Sequence, residues 1–373
     1  MKKVLFVAHV VKHHLMTFHL PYLEWFKKNG YETHVCSRND YENKEDCIIP
    51  YCDKYYDLPF ESMPFNLRNI TAFNKLNQII KSNNYDIIHC HTPVGGALTR
   101  LAAKKARKNG TKVIYTAHGF HFFKGAPLRN WILFYPIEKW LAKYTDMIIT
   151  INKEDYELAK KSFKAGKIEY IPGVGLDTER YSNIRINKLD KRKELEIPDN
   201  AFFILSVGQL NKNKNHETIL RGMAKLNNPN IYCIICGQGK LENYLERLIN
   251  ELGLVKQVKL MGYRRDIDEI SKAADMFAFL SYREGLSVAL MEAMAAGLPI
   301  VCSNIRGNND LIEEGNGGYL IKPNDTDSFA RSIKRLFENP ELRVKLGEFN
   351  KKAIKKCDIN NIKKSMEEIY RNI

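Results

Sequence analysis

Two successive series of short apolar strands, separated by helical stretches, run through this chain, and few architectures accommodate that alternation. The first occupies 1–172, where KVLFVAH (3–9), THVCSR (33–38), DIIHCH (86–91), VIYTAH (113–118) and DMIITI (146–151) alternate with segments such as TFHLPYLEWFKKNG (17–30) and ALTRLAAKKARKNG (97–110). The second begins near Ala201 with FFILSVG (202–208) and continues through IYCIICG (231–237), VKLMG (258–262), DMFAFL (275–280) and IVCS (300–303). Strands that are apolar on both faces and joined by helices belong in a parallel sheet covered on both sides. The expected fold is therefore α/β, with two Rossmann-like doubly wound lobes facing a central cleft. At 373 residues the chain exceeds one ordinary core, which agrees with two domains. Breakers at Ile171-Pro172-Gly173-Val174-Gly175 and the charged stretch 184–199 read as a linker, so the first lobe is expected over 1–172 and linker plus second lobe over 173–359.

The densest chemical signal lies in SYREGLSVALMEAMAAGLPIVC (281–302). Ser287 is placed to cap a helix over 288–296, rich in Ala, Leu, Met and Glu, and Gly297-Leu298-Pro299 ends it. Glu284 then stands in the loop at the carboxyl end of a strand, where open α/β sheets bind ligands, and Glu292 about one turn inside the helix. On one continuous helix the two acids would be rotated by roughly 80° and about 12 Å apart along the axis, which disfavours a shared metal or an acid/base pair. A carboxylate accepts both hydroxyls of a vicinal diol, and the free N–H groups at a helix start donate to phosphate oxygens. Upstream, the loop GQLNKNKN (208–215) follows the second lobe's first strand, and Lys214 offers a point charge to a departing diphosphate. Gly237-Gln238-Gly239-Lys240 and Gly262-Tyr263-Arg264 end two further strands along the same rim.

In the first lobe, His118 followed by Gly119 ends a strand and can hydrogen-bond a sugar hydroxyl; His121 follows in the same loop. His89 and His91 share one side of another strand, a spacing that superficially suits a metal, but no third ligand is apparent in sequence and none is expected. The first strand runs into His9-Val10-Val11-Lys12-His13-His14 without GxGxxG, which argues against a dinucleotide in that lobe.

The 281–302 block, with its downstream GNGGYLIKPND (315–325), resembles the Glu-x7-Glu motif of retaining glycosyltransferases of family four, which have the GT-B fold. The phrases YTAHGFHFFKGAP (115–127), NWILFYPIEKWL (130–141) and ITINKEDYELAKK (149–161) resemble enzymes that extend lipid-linked sugars for bacterial capsular or exopolysaccharide. The resemblance implies that Glu284 and His118 face the donor sugar and Glu292 the ribose, with Gly285, Leu286 and Ser287 at the helix start. It also implies that Lys214, Gly208 and Gln209 meet the diphosphate, and that Gly237, Tyr263 and Arg264 lie near the nucleotide. Family members commonly have Arg where this chain has Gln209; Lys212, Arg264 and Arg306 are candidate substitutes. The implied donor is a nucleotide sugar of the UDP series, and the acceptor a polyprenyl-diphosphate-linked sugar. No cofactor and no metal are implied, and the terminal helix over 360–373 is expected to cross back onto the first lobe.

Composition narrows the partners. A balance of 58 basic against 43 acidic residues, net +15, favours acidic partners, yet no nucleic-acid module is present. The basic stretch TRLAAKKARK (99–108) and the aromatic LRNWILFYPIEKWL (128–141) are suited either to an anionic membrane surface or to ordinary packing, with Pro136 starting a second helix in the latter. Met1-Lys2-Lys3 leads directly into a strand and no apolar run spans a bilayer, so a cytoplasmic protein, at most peripheral on the inner membrane face, is expected. Eight scattered cysteines read as reduced core thiols, the CxxC at Cys233 and Cys236 included. Competing activities are a UDP-sugar epimerase of GT-B shape and a catalytically silent partner subunit of a glycosyltransferase.

Overall fold

The apolar runs become the strands of two all-parallel sheets in a computed structural model that describes residues 1–373. In the first sheet, β1 (Lys3–Val10), β2 (Glu32–Arg38), β3 (Lys54–Asp57), β4 (Ile87–His91), β5 (Lys112–Ala117), β6 (Met147–Thr150) and β7 (Lys167–Tyr170) lie in the order β3-β2-β1-β4-β5-β6-β7. The second contains β8 (Phe202–Val207), β9 (Ile231–Cys236), β10 (Val258–Leu260), β11 (Met276–Phe279), β12 (Ile300–Ser303) and β13 (Gly318–Ile321), ordered β10-β9-β8-β11-β12-β13. Each order reverses direction once, between β1 and β4 and between β8 and β11. A reversal splays the two flanking loops apart and opens a crevice at the strands' carboxyl ends.

The chain divides into one unit of Met1–Gly175 with Asn360–Ile373 and another of Leu176–Ile359. In the first, the sheet is buried on both faces, by residues such as Leu76, Phe122 and Phe163 on one side and Leu23, Phe26 and Met366 on the other. The terminal helix Ile359–Arg371 contributes Ile362, Met366 and Tyr370, spaced four apart and therefore on one stripe. Tyr370 reaches the sheet itself, its hydroxyl 2.8 Å from Nδ1 of His89. In the second unit Phe202, Ile219, Leu248, Phe329 and Leu346 belong to one continuous core. All eight cysteines are free thiols.

Three local expectations are corrected. The charged stretch 184–199 is no linker: Lys188–Glu194 is a helix of the second unit whose Arg192 is buried, donating to the carbonyls of Ala273, Asp199 and Ala201 and to the Asp275 carboxylate. Alternating charge hid a side chain four of whose five donors are taken up by these neighbours. Pro136 does not begin a helix but lies inside Leu128–Leu141, where the residue whose carbonyl it leaves unbonded, Ile132, is solvent-exposed. The basic stretch 99–108 is broken at Ala103, and its Arg100 is fully buried, paired with Glu138 at 2.9 Å and stacked over Tyr115.

Candidate active site

At the switch point of the second sheet, the loops after β8 and β11 are tied together by amides. Asn215, in the left-handed conformation, donates from its side chain to the carbonyls of Leu280 and Pro323, and the Asn213 side chain donates to the carbonyl of Arg283. The Tyr282 N–H donates in turn to the carbonyl of Asn213. This lacing brings Lys214 Nζ within 2.7 Å of Glu284 Oε1, with 19% and 14% of the two side chains exposed. The ammonium also lies 4.6 Å from the ring centre of Phe279, the last residue of β11. A cation held by one carboxylate and one aromatic face is positioned in advance for an incoming anion.

Glycines let the strand-end loops touch. A Cβ on Gly237 would fall 1.9 Å from the carbonyl oxygen of Gly208, and one on Gly307 would fall 2.1 Å from that of Gly285. Gly208 itself carries the aliphatic part of Lys214 against its Cα. The rim therefore consists of main chain laid against main chain, with Lys214 and Glu284 as its charged groups at the reversal.

Ser287 caps the helix Val288–Ala296 by accepting the Leu290 N–H, and Gly297 ends it in the left-handed conformation. Gly285 and Leu286 form the approach to this helix start. Glu292, half-buried, accepts a 2.6 Å hydrogen bond from the Tyr181 hydroxyl. Burial pushes its carboxyl above the ordinary value, opposed by the Tyr181 hydrogen bond. Glu284 and Glu292 thus have separate partners. Tyr181, on the short helix Thr178–Asn183, and its neighbour Arg180, which pairs with Asp268 at 2.8 Å, were not singled out from sequence. Their segment reads as the edge of a linker, and 111 residues separate the two ends of the Tyr181–Glu292 bond.

The remaining predicted residues are dispersed. Gln209 is exposed and accepts only from the Asn211 side chain among its side-chain neighbours. Arg264 is held by Asp266 and Glu194 at 2.8 and 2.7 Å, while Tyr263 projects into solvent. Lys212 is exposed. Arg306, buried, donates from Nε to the Glu284 carbonyl at 3.2 Å, which sets it directly beside the residue that pairs with Lys214.

In the first unit His118 ends up among histidines. After β1 the chain forms a π-helical turn, Val11–Leu15, that carries His14, and His19 follows five residues on. Their Nε2 atoms are 3.3 Å apart. His91, at the end of β4, stacks on His19 with ring centres 3.7 Å apart, and His118 lies 4.8 Å from His14. His89, the partner of His91 in sequence, is instead satisfied on both nitrogens by Tyr370 and Thr116. Burial, reinforced by the neighbouring imidazoles, holds His14, His19 and His91 well below the ordinary value, and burial lowers His118 to about 4. The four rings are therefore neutral near pH 7. His121 lies apart, its ring 4.8 Å from that of Phe134.

Comparison with known proteins agrees with both sheets. Residues 187–353 match the family described as Glycosyl transferases group 1, and residues 3–152 match the one described as Glycosyl transferase 4-like. Over 373 residues the chain is 40% identical to the putative glycosyltransferase EpsD of Bacillus subtilis (strain 168), covering 99% of this chain and 96% of that one. It is 34% identical over 286 residues to the UDP-Gal:alpha-D-GlcNAc-diphosphoundecaprenol alpha-1,3-galactosyltransferase of Escherichia coli, 74% of this chain and 73% of that one. The crystal structure of Anabaena Alr3699/HepE in complex with UDP and glucose shares the fold, with a TM-score of 0.82 at 19% identity over the whole of both chains. The chain belongs to the family-four glycosyltransferases, with two Rossmann-like parallel-sheet domains of the GT-B kind.

Proposed function

We propose that the protein transfers a sugar from a UDP-sugar to a polyprenyl-diphosphate-linked saccharide in capsule or exopolysaccharide assembly, with retention at the anomeric carbon. The observation that carries this reading is the approach of Lys214 to Glu284 at the switch point, beside the capped start of the helix that holds Glu292. As the bond from C1 to the diphosphate oxygen breaks, its electron pair moves to that oxygen, where Lys214 and the N–H groups of the helix start stabilise the charge. The acceptor hydroxyl attacks the same face, and its proton passes to the departing phosphate oxygen. Glu284 holds the sugar hydroxyls, and Glu292, oriented by Tyr181, takes the ribose diol, while His118 is the first unit's own candidate for a sugar hydroxyl. Charge neutralisation of the diphosphate by Lys214 and backbone dipoles needs no metal at that place.

The UDP series is supported by the names of the Escherichia coli and Anabaena proteins, and the lipid-linked acceptor by the former. An apolar pocket of about 120 Å³ in the first unit, lined by Phe65, Leu98, Phe122, Leu133, Phe134 and Ile137, suits a hydrocarbon tail. Phe65, Leu133 and Ile137 are themselves exposed at its rim, and no helix is long and apolar enough to cross a membrane. Exposed Lys104, Lys105 and Lys108 and the exposed Trp140 support peripheral contact with an anionic inner membrane face. Replacing Lys104, Arg107 and Lys108 by Ala should weaken co-sedimentation with anionic vesicles, and unchanged binding would refute that contact.

A panel of UDP-sugars assayed with and without prenyl-diphosphate-linked acceptors tests the activity. Product requiring both substrates supports transfer. Conversion of the donor sugar without acceptor makes the protein an epimerase, and inertness with every pair makes it a silent subunit.

A further inference from the structure

We propose that His14, His19, His91 and His118 bind one divalent transition-metal ion of the zinc class through a four-nitrogen site at the switch point of the first sheet. The four contribute one nitrogen each to a group whose ligand atoms all lie within 4.8 Å of one another. They come from three separate strand ends, after β1, at the end of β4 and after β5, so no local helix or strand periodicity accounts for their meeting.

Their hydrogen bonding is incomplete. Neither ring nitrogen of His91 has a hydrogen-bond partner, nor has Nδ1 of His19 or Nε2 of His118, although His91 and His19 are only 1% and 2% exposed. Buried polar atoms are almost always paired, and His89, one residue from His91, obeys that rule on both nitrogens. Thr92, directly after His91, sits at φ 64° and ψ 151°, a region favourable only to glycine, so the backbone is strained where it delivers the imidazole.

The space selects the occupant. Beside His19, His91 and His118 lies a cavity of about 20 Å³, walled also by His89, Thr116 and apolar residues such as Phe18, Tyr22 and Ile149. That is room for one water-sized body and far too little for a sugar ring. Zinc–imidazole bonds of about 2.0–2.1 Å place tetrahedral ligand nitrogens about 3.3 Å from each other. The His14 and His19 Nε2 atoms already stand 3.3 Å apart. Five of the six ring-centre separations fall between 4.8 and 6.0 Å, near the roughly 5 Å of four imidazoles around one ion. The stacked pair His19 and His91, at 3.7 Å, would open on binding. Because burial keeps these rings neutral near pH 7, their lone pairs are available without prior loss of a proton. His118 is the member whose ring is partly exposed, so coordination through its buried Nε2 would leave its other nitrogen protonated and directed away from the ion. The ion would thereby fix the tautomer and ring angle of a residue assigned above to the sugar.

The test uses the full-length protein. After expression with added zinc and removal of loose metal, plasma mass spectrometry should find about one zinc per chain. Stripped protein should rebind Zn²⁺ with a rise of several degrees in melting temperature, and His91→Gln or His14→Gln should weaken that binding by at least about tenfold. Co²⁺ in place of zinc should show the intense visible absorption of a tetrahedral nitrogen site. Zinc well below stoichiometry together with a melting temperature indifferent to Zn²⁺ in the wild-type chain would overturn the proposal, whether or not either variant folds. A water molecule alone in the cavity would produce that result. Metal content and melting temperature are read without substrate, so a failed transferase assay leaves this outcome untouched, and the reverse holds too.

Discussion

The two sheets of this protein reverse direction at equivalent places, yet the chemistry gathered there differs. At the second sheet's reversal the polar groups are paired: Lys214 with Glu284, and Tyr181 with Glu292. At the first sheet's reversal four imidazoles, neutral by burial, face each other with several nitrogens unmatched. The same backbone geometry thus offers two kinds of site. Paired charges can exchange one partner for a ligand's phosphate or diol at little desolvation cost, whereas unmatched lone pairs suit an electrophile.

The largest effect is expected from Lys214→Ala, which removes the fixed cation: turnover should fall by about 10²–10³ in a UDP-sugar transfer assay. Turnover within a fewfold of wild type would separate the Lys214–Glu284 pair from the chemistry. Next in size is Gly237→Ala. Its Cβ would overlap the Gly208 carbonyl, and its φ of 148° is unfavourable to alanine, so chemical denaturation should show a loss of roughly 2–4 kcal/mol, with donor affinity impaired as well.

Acid sharpens the contrast further. The four histidines are lowered in the folded state, so below about 6.5 the unfolded chain binds more protons than the folded one. Stability should therefore drop as pH falls from 6.5 towards the folded value of about 4 at His118, and His91→Gln should flatten that slope in melting curves. Glu292 behaves in the opposite sense, since its carboxyl is raised and must be ionised to accept a diol. Donor KM should rise on acidification at a higher pH than an ordinary carboxyl would give. Tyr181→Phe, deleting the bond that opposes this rise, should move the inflection upward and weaken donor binding by up to about tenfold, near 1 kcal/mol. The smallest change is Tyr370→Phe, which leaves His89 one partner short and should cost about 1 kcal/mol of stability with KM unaltered.

Much of the local structure was legible because it depends on neighbours in sequence. The apolar runs 3–9, 86–91, 202–208 and 231–237 are strands of parallel sheets, and Ser287 and Gly297 bound the helix Val288–Ala296 as their capping chemistry dictates. Where the reading failed, a distant partner overrode the local signal. Arg192 and Arg100 read as solvated charge and are buried, because Asp275 and Glu138 meet them from elements far along the chain. Pro136 signals a helix start, yet the helix passes through it where the surface can absorb the lost bond.

Sequence alone determined that the chain is α/β with two parallel sheets and that Glu284 and Glu292 flank a strand-to-helix junction, since periodicity and capping act over a few residues. Tertiary structure alone decided which side chains meet. The coupling of Tyr181 to Glu292 and the convergence of His14, His19, His91 and His118 depend on strand order and on where each sheet reverses, and no spacing in the sequence encodes that reversal.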